Sequence, residues 1–150
     1  MHIVNRKVFH EYEILEKYTA GIMLAGPETK SAKLGRALLQ GSFVVVRNGE
    51  AWIENLHISP YAPATREQKD YTPTRRRKLL LKKKEIHRLG TMLEQSGYSA
   101  VPLSLFDHHA WIKIEIALVR GKKKYDKRES IRKRETARTI SRVQKLRRVR

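Results

Sequence analysis

Positive charge is spread unevenly along this chain, and the imbalance limits how much of it can fold. Residues 120–150 hold 15 basic side chains against 3 acidic ones (Asp126, Glu129 and Glu135), so 31 of the 150 residues carry +12 of a formal net charge of +18. The apolar side chains in that stretch (Ile131, Ala137, Ile140, Val143, Leu146 and Val149) are few and widely spaced. Burial cannot offset the entropy of ordering such a segment, so it is expected to be disordered in the free chain. The core must come from the part before it. The boundary falls at Gly121, after the apolar stretch 112–119, giving an expected folded domain over 1–120 and a basic tail over 121–150.

A second concentration of charge lies inside the folded part. Arg75, Arg76, Arg77, Lys78, Lys82, Lys83 and Lys84 put seven bases into ten positions with no acid among them. Two separate basic patches on so small a body predict a polyanionic partner. A membrane surface is the rival partner, but the tail offers a thin apolar face with no aromatic beyond Tyr125, and no apolar run approaches the ~18 residues of a membrane span. The absence of cysteine excludes disulfides, thiolate metal sites and a cysteine nucleophile, and it suits a reducing compartment. Met1 runs into His2, Ile3, Val4, Asn5, Arg6 and Lys7 with no apolar segment behind the charges, so a cytoplasmic protein is expected.

The local patterns are mostly those of strands. Residues 12–24, rich in aromatic and β-branched side chains, predict a long first strand that Gly21 kinks or bulges. Pro27 is placed as the first residue of a short helix running toward Gly35. Asn48-Gly49 between the β-rich runs 42–47 and 50–58 predicts a hairpin, because both residues tolerate the positive φ that a two-residue turn requires. Residues 59–74, with Pro60, Pro63 and Pro73, predict a surface loop. A brief strand over 79–81 follows. Ile86, Leu89, Gly90 and Leu93 then recur on one helical face, and Ser96-Gly97 closes that helix. The last two strands are 99–106, where Pro102 marks an edge or bulge, and 111–119. In the latter Ile112, Ile114, Ile116 and Leu118 face a core while Lys113 and Glu115 face water. The expected fold is mainly β: a small closed or partly open oligonucleotide-binding-type barrel with two short helices and a basic C-terminal tail.

No catalytic constellation emerges. The six histidines (His2, His10, His57, His87, His108 and His109) lack convincing partners, and His108-His109 falls at a hairpin turn where neighbouring side chains splay. Gly26-Pro-Glu-Thr-Lys30-Ser31 superficially resembles the end of a phosphate-binding loop, but no glycine precedes Lys30 and a proline and a carboxylate occupy the loop. With no nucleophile elbow, paired carboxylates or metal-binding helix motif, the chain reads as a binding protein. No enzyme activity, cofactor, metal or small-molecule substrate is expected. A hydrolase acting on RNA through His10 or His57 and a generic basic RNA chaperone stand as the other readings.

Particular strings are more specific. Asn5-Arg-Lys7, His10-Glu-Tyr12, Asn48-Gly-Glu-Ala-Trp52, His57-Ile-Ser-Pro-Tyr61, Arg77-Lys-Leu-Leu-Leu81, Lys113-Ile-Glu-Ile-Ala-Leu118 and Gly121-Lys-Lys-Lys-Tyr-Asp-Lys-Arg128 follow one another in this order. In that order they closely resemble the small protein B family, the SsrA-binding proteins of bacterial trans-translation. The resemblance runs from Asn5 to about Arg134, and beyond it only the basic character matches. It implies a barrel that holds the tRNA-like domain of transfer-messenger RNA, as a monomer on the RNA. It also implies a tail that follows the empty messenger path from the decoding site of the small ribosomal subunit. The RNA-contacting positions it implies are Asn5, Lys7, His10, Lys78, Leu80 and Lys113. The tail motif it implies is Asp126, Lys127 and Arg128, with Tyr125 ahead of it as a stacking residue. Three positions depart from the family pattern: Thr19 stands where a glutamate is usual, Pro27 follows Gly26, and Thr136 falls where some members carry an aromatic.

Overall fold

The computed structural model describes residues 1–122, 131 and 133–138. Nine strands are present among them: β1 (His2–Val4), β2 (Tyr12–Ile22), β3 (Ala37–Leu38), β4 (Phe43–Arg47), β5 (Glu50–Glu54), β6 (His57–Ile58), β7 (Arg77–Leu80), β8 (Tyr98–His108) and β9 (Trp111–Gly121). Three α-helices, α1 (Val8–Glu11), α2 (Gly26–Lys33) and α3 (Lys83–Leu93), and a 3-10 helix over Ala62–Gln68 lie between them. Residues 131 and 133–138 are also helical.

The strands form a ring. Antiparallel pairing runs β8-β4-β5-β7-β2-β9, and β9 returns to β8, while β1 hangs on the outside of β8 through His2↔Phe106 to Val4↔Ser104. The expected barrel-like closure is therefore found. One side is long, since β9 pairs along most of its length with both β2 and β8. The other is short, and the β4–β8 seam rests on the single pair Val44↔Ala100. Asn48 (φ 52°) and Gly49 (φ 71°) make the hairpin turn between β4 and β5 as expected.

Bulges bend the long strands. One lies at Pro102/Ser104 in β8, where proline was expected to mark it. The other lies at Ile14/Glu16 in β2, and not at Gly21 as the sequence suggested. The expected single strand over 50–58 also breaks, because Asn55 turns with φ 58° and β6 leaves to pair with β3. The 59–74 loop contains the 3-10 helix.

Tyr18, Ala20, Ile53, Leu79, Leu105, Ile114, Ile116 and Leu118 fill the ring. The amphipathic α3 packs against β4 and β8, with Leu89 fully buried; a Cβ on Gly90 would lie 3.3 Å from Val46 Cγ1. Arg88 of α3 donates from Nε to Glu16 Oε2 at 2.9 Å, and the Tyr18 hydroxyl donates to the same carboxylate. Burial, with that bond to Glu16, pushes the Tyr18 phenol up to about 12. The water-facing side of β9 is open at Trp111, Lys113 and Glu115 but closes at the next two positions. Farther along, Ala117 and Val119 join Val8, Val101 and Leu103 in a second small core outside the ring. The sequence missed α1 because four residues are too short to show a period, and α1 supplies the Val8 that covers this patch.

Candidate nucleic-acid interface

The register of three strands sets one row of side chains. Leu80 of β7 pairs with Gly21 of β2, and Gly21 pairs on its other side with Lys113 of β9. Leu80 is an apolar residue left 54% exposed. A Cβ on Gly21 would lie 3.3 Å from both Cβ and Cδ1 of Leu80, so the absence of a side chain keeps a hollow open between Leu80 and Lys113. Met23, Leu24 and Trp111 complete the walls of a cavity of about 450 Å³. Beyond Met23, whose backbone N–H donates to the Lys78 carbonyl at 3.0 Å, a second hollow of about 350 Å³ is lined by Trp52, Arg75, Arg76 and Lys78. Lys78 ion-pairs with the exposed Glu50 carboxylate. The charge of Lys113, with some desolvation and the neighbouring His109, holds the His108 imidazole below its ordinary value. The rings of His108 and His109 do not splay as expected. They meet edge to face with centroids 4.4 Å apart, because His109 occupies the turn at φ 55°.

The basic run 75–84 does not form one patch. Arg77 points inward and is fully buried. Its Nη2 donates to Glu28 Oε1 at 2.8 Å and to the Pro73 carbonyl at 2.9 Å, and its Nε donates to Glu28 Oε1 at 3.0 Å. Arg75 donates from Nε to the same oxygen at 2.9 Å, and the Ala25 backbone N–H donates to Glu28 Oε2 at 2.8 Å. Burial alone would push the Glu28 carboxyl up. The bonds from Arg75 and Ala25 and the charge of Arg77 outweigh it and hold the group below the usual carboxylate range. Arg76 reaches Glu54 at 3.1 Å. The side chains of Lys82, Lys83 and Lys84 stand at the start of α3.

A second group lies at the other end of β2, roughly 30 Å along the strand from Gly21. Lys7, at the N-cap of α1, and Glu11 at its end form an i, i+4 pair at 3.5 Å. His10 meets the guanidinium of Arg134, and Lys122 Nζ donates to the Phe9 carbonyl at 3.1 Å. Asn5 is buried. Its side-chain amide donates to the carbonyls of Pro102 (3.1 Å) and Leu39 (3.4 Å), and its backbone N–H donates to Leu103 (2.7 Å), so it satisfies the backbone opened by the β8 bulge. Among the described residues no group of three or more metal-ligating side chains gathers, and no helix is long and apolar enough to cross a membrane.

The profile of the SmpB protein family matches residues 2–146. The chain belongs to the SmpB family. The SsrA-binding protein of Synechococcus sp. (strain JA-3-3Ab) is 49% identical over 140 residues, which cover 93% of this chain and 90% of that one. The SsrA-binding protein of Geotalea uraniireducens (strain Rf4) is 48% identical over 137 residues, covering 91% and 89%. A chain from the solved structure described as "tmRNA-SmpB: a journey to the center of the bacterial ribosome" superposes with a TM-score of 0.65 at 41% identity, over 87% of this chain and 94% of that one.

Of the positions that the SmpB resemblance pointed to, Lys78, Leu80 and Lys113 come together along the two hollows. Lys7 stands at the N-cap of α1, which carries His10, and Asn5 just before it is buried. Tyr125, Asp126, Lys127 and Arg128 lie outside the described residues. The sequence reading missed Trp111, Trp52 and Met23. Trp111, 74% exposed in a strand otherwise apolar on its inner face, carried a signal: it stands at the hairpin turn, at an odd position, beside Lys113 on the wet side.

Proposed function

We propose that this chain is an RNA-binding protein that holds the tRNA-like domain of transfer-messenger RNA and delivers it to stalled ribosomes for trans-translation. It acts in the cytoplasm and catalyses no reaction itself. The Leu80–Gly21–Lys113 row carries the reading: an apolar surface for a splayed base beside a cation for a phosphate, on a strand face with room between them. Membership of the SmpB family supports the partner. Lys78 neutralises phosphate at the same face, and Lys7 and His10 make a second contact at the start and end of α1. Asn5, bonded to Leu39, Pro102 and Leu103, anchors the segment that leads into α1. The 1–120 domain binds the RNA, and the 121–150 tail works on the ribosome, with Tyr125 stacking in the decoding site and Asp126, Lys127 and Arg128 setting the tail's path.

Truncation separates the two parts. Deleting residues 129–150 is expected to leave affinity for a free tRNA-like transcript within a few-fold at matched salt and to abolish peptide tagging on stalled ribosomes. Tagging at the normal rate, or complete loss of free-RNA binding, would overturn this division. Competition against an unstructured RNA of equal length decides between this reading and a generic RNA chaperone, since only the former prefers the tRNA-like fold.

A further inference from the structure

The two hollows described above adjoin through Met23 and Leu24, which line both. Together they make a groove that crosses the ring from β9 to β5, three strand spacings or about 14 Å. The chain has two tryptophans, and the groove has one at each end: Trp111 beside Lys113, and the half-buried Trp52 opposite Lys78 in the β5–β7 register. Between them stand Met23, 53% exposed, and Leu80. The residues lining the groove include four cations, Arg75, Arg76, Lys78 and Lys113, and no acid.

We propose that this groove is a track for consecutive unpaired nucleotides of the bound RNA, with Trp52 and Trp111 as its stacking surfaces. The proposal rests on the RNA-binding reading above and extends it to residues beyond Lys78, Leu80 and Lys113. The pairing of flat apolar faces with cations selects the occupant. A duplex offers phosphates and sugar hydroxyls but buries its base faces, so it would leave both indoles and the Met23–Leu80 floor without a partner. Unpaired bases use all of them, and the groove is several times the ~3.4 Å thickness of a stacked base. Arg75 is committed to the buried Glu28 and adds only its field, and Arg76 leans on the partly buried Glu54. The Lys78–Glu50 pair, by contrast, is exposed and so weakly held that a phosphate can replace the carboxylate.

Two tryptophans make the test direct. Trp111→Phe leaves Trp52 as the sole indole, and Trp52→Phe leaves Trp111. Each protein is titrated with a transcript of the tRNA-like domain, following tryptophan emission and, separately, the anisotropy of labelled RNA. Both indoles should be quenched at saturation, and a fully paired RNA of equal length should quench neither. Trp52→Ala and Trp111→Ala should each weaken binding about 5- to 150-fold, with phenylalanine restoring most of it. Binding with unchanged Trp52 emission and no loss in Trp52→Ala would sink the track and leave the proposed function standing. Equal quenching by the duplex would remove the preference for unpaired bases. Failure of the unmodified chain to bind the transcript at all would instead overturn the function. If Trp52→Ala proves unstable, the emission of Trp52 in the Trp111→Phe protein still decides the matter.

Discussion

Two sets of positive charge lie side by side on this molecule, one closed around Glu28 and one open along the groove from Lys78 to Lys113. Arg77 and Lys78 belong to different sets although they are sequence neighbours, because successive side chains of a strand point to opposite faces. Arg77 is enclosed with a carboxylate and with carbonyls from Leu56, Pro73 and Arg75, so every donor has a fixed partner and none is free for a ligand. Lys78 has one exposed carboxylate partner and an open groove before it. The same charge therefore holds the fold in one case and is available for binding in the other, and its enclosure decides which.

The largest effect should come from breaking the closed set. Arg77→Ala leaves Glu28 buried beside Arg75 alone and should cost about 3–5 kcal/mol of stability by denaturant unfolding. A near-neutral value would erase the distinction between the two sets. Because Glu28 titrates below the usual carboxylate range, its contribution is complete above that range and is lost as pH falls through its lowered value. Glu28→Gln should accordingly show lower stability at neutral pH but a shallower decline in acid.

The open set should behave in the reverse way. Lys78→Ala and Lys113→Ala should each change stability by no more than about 0.5 kcal/mol. Each should weaken RNA binding and lower the slope of log K against log salt by about 1, measured by titration at several salt concentrations. A large stability loss would move that residue into the closed set. The smallest effect sharpens the comparison at one atom group. Removing Lys113 takes away the main cause of the depressed His108 titration, so the His108 ring signals in NMR should titrate at higher pH in Lys113→Ala. An unchanged midpoint would place the Lys113 charge elsewhere.

The same contrast explains what could be read from the sequence. The β4–β5 hairpin was legible because its cause is local: Asn48 and Gly49 accept positive φ, and the runs beside them are rich in strand-forming residues. The inward face of β9 was legible for the same reason. The burial of Arg77 was not, since arginine-rich runs are ordinarily solvated and its partner lies 49 residues away. Lys78, Leu80 and Lys113 were found through the family resemblance, and their proximity to one another was set by strand register, which no single segment encodes. Gly21 shows the limit most clearly. It read as a kink, whereas its role is to leave space beside Leu80, a residue of another strand.

The ring has a further consequence, in the order of synthesis. β2 is made early, but both of its neighbours come late, β7 at residues 77–80 and β9 at residues 111–121. During translation β2 must wait with open edges until almost the whole folded part has been made, and its long edge is covered last. Limited proteolysis of arrested nascent chains would read this directly, with cleavage within β2 until residue 121 has cleared the exit tunnel and protection afterwards. Protection of β2 in shorter chains would mean that a temporary partner covers it. The pairing that covers one edge of β2 along most of its length in the finished protein thus gives its nascent form a prolonged period of vulnerability to self-association, which ends only with the last strand.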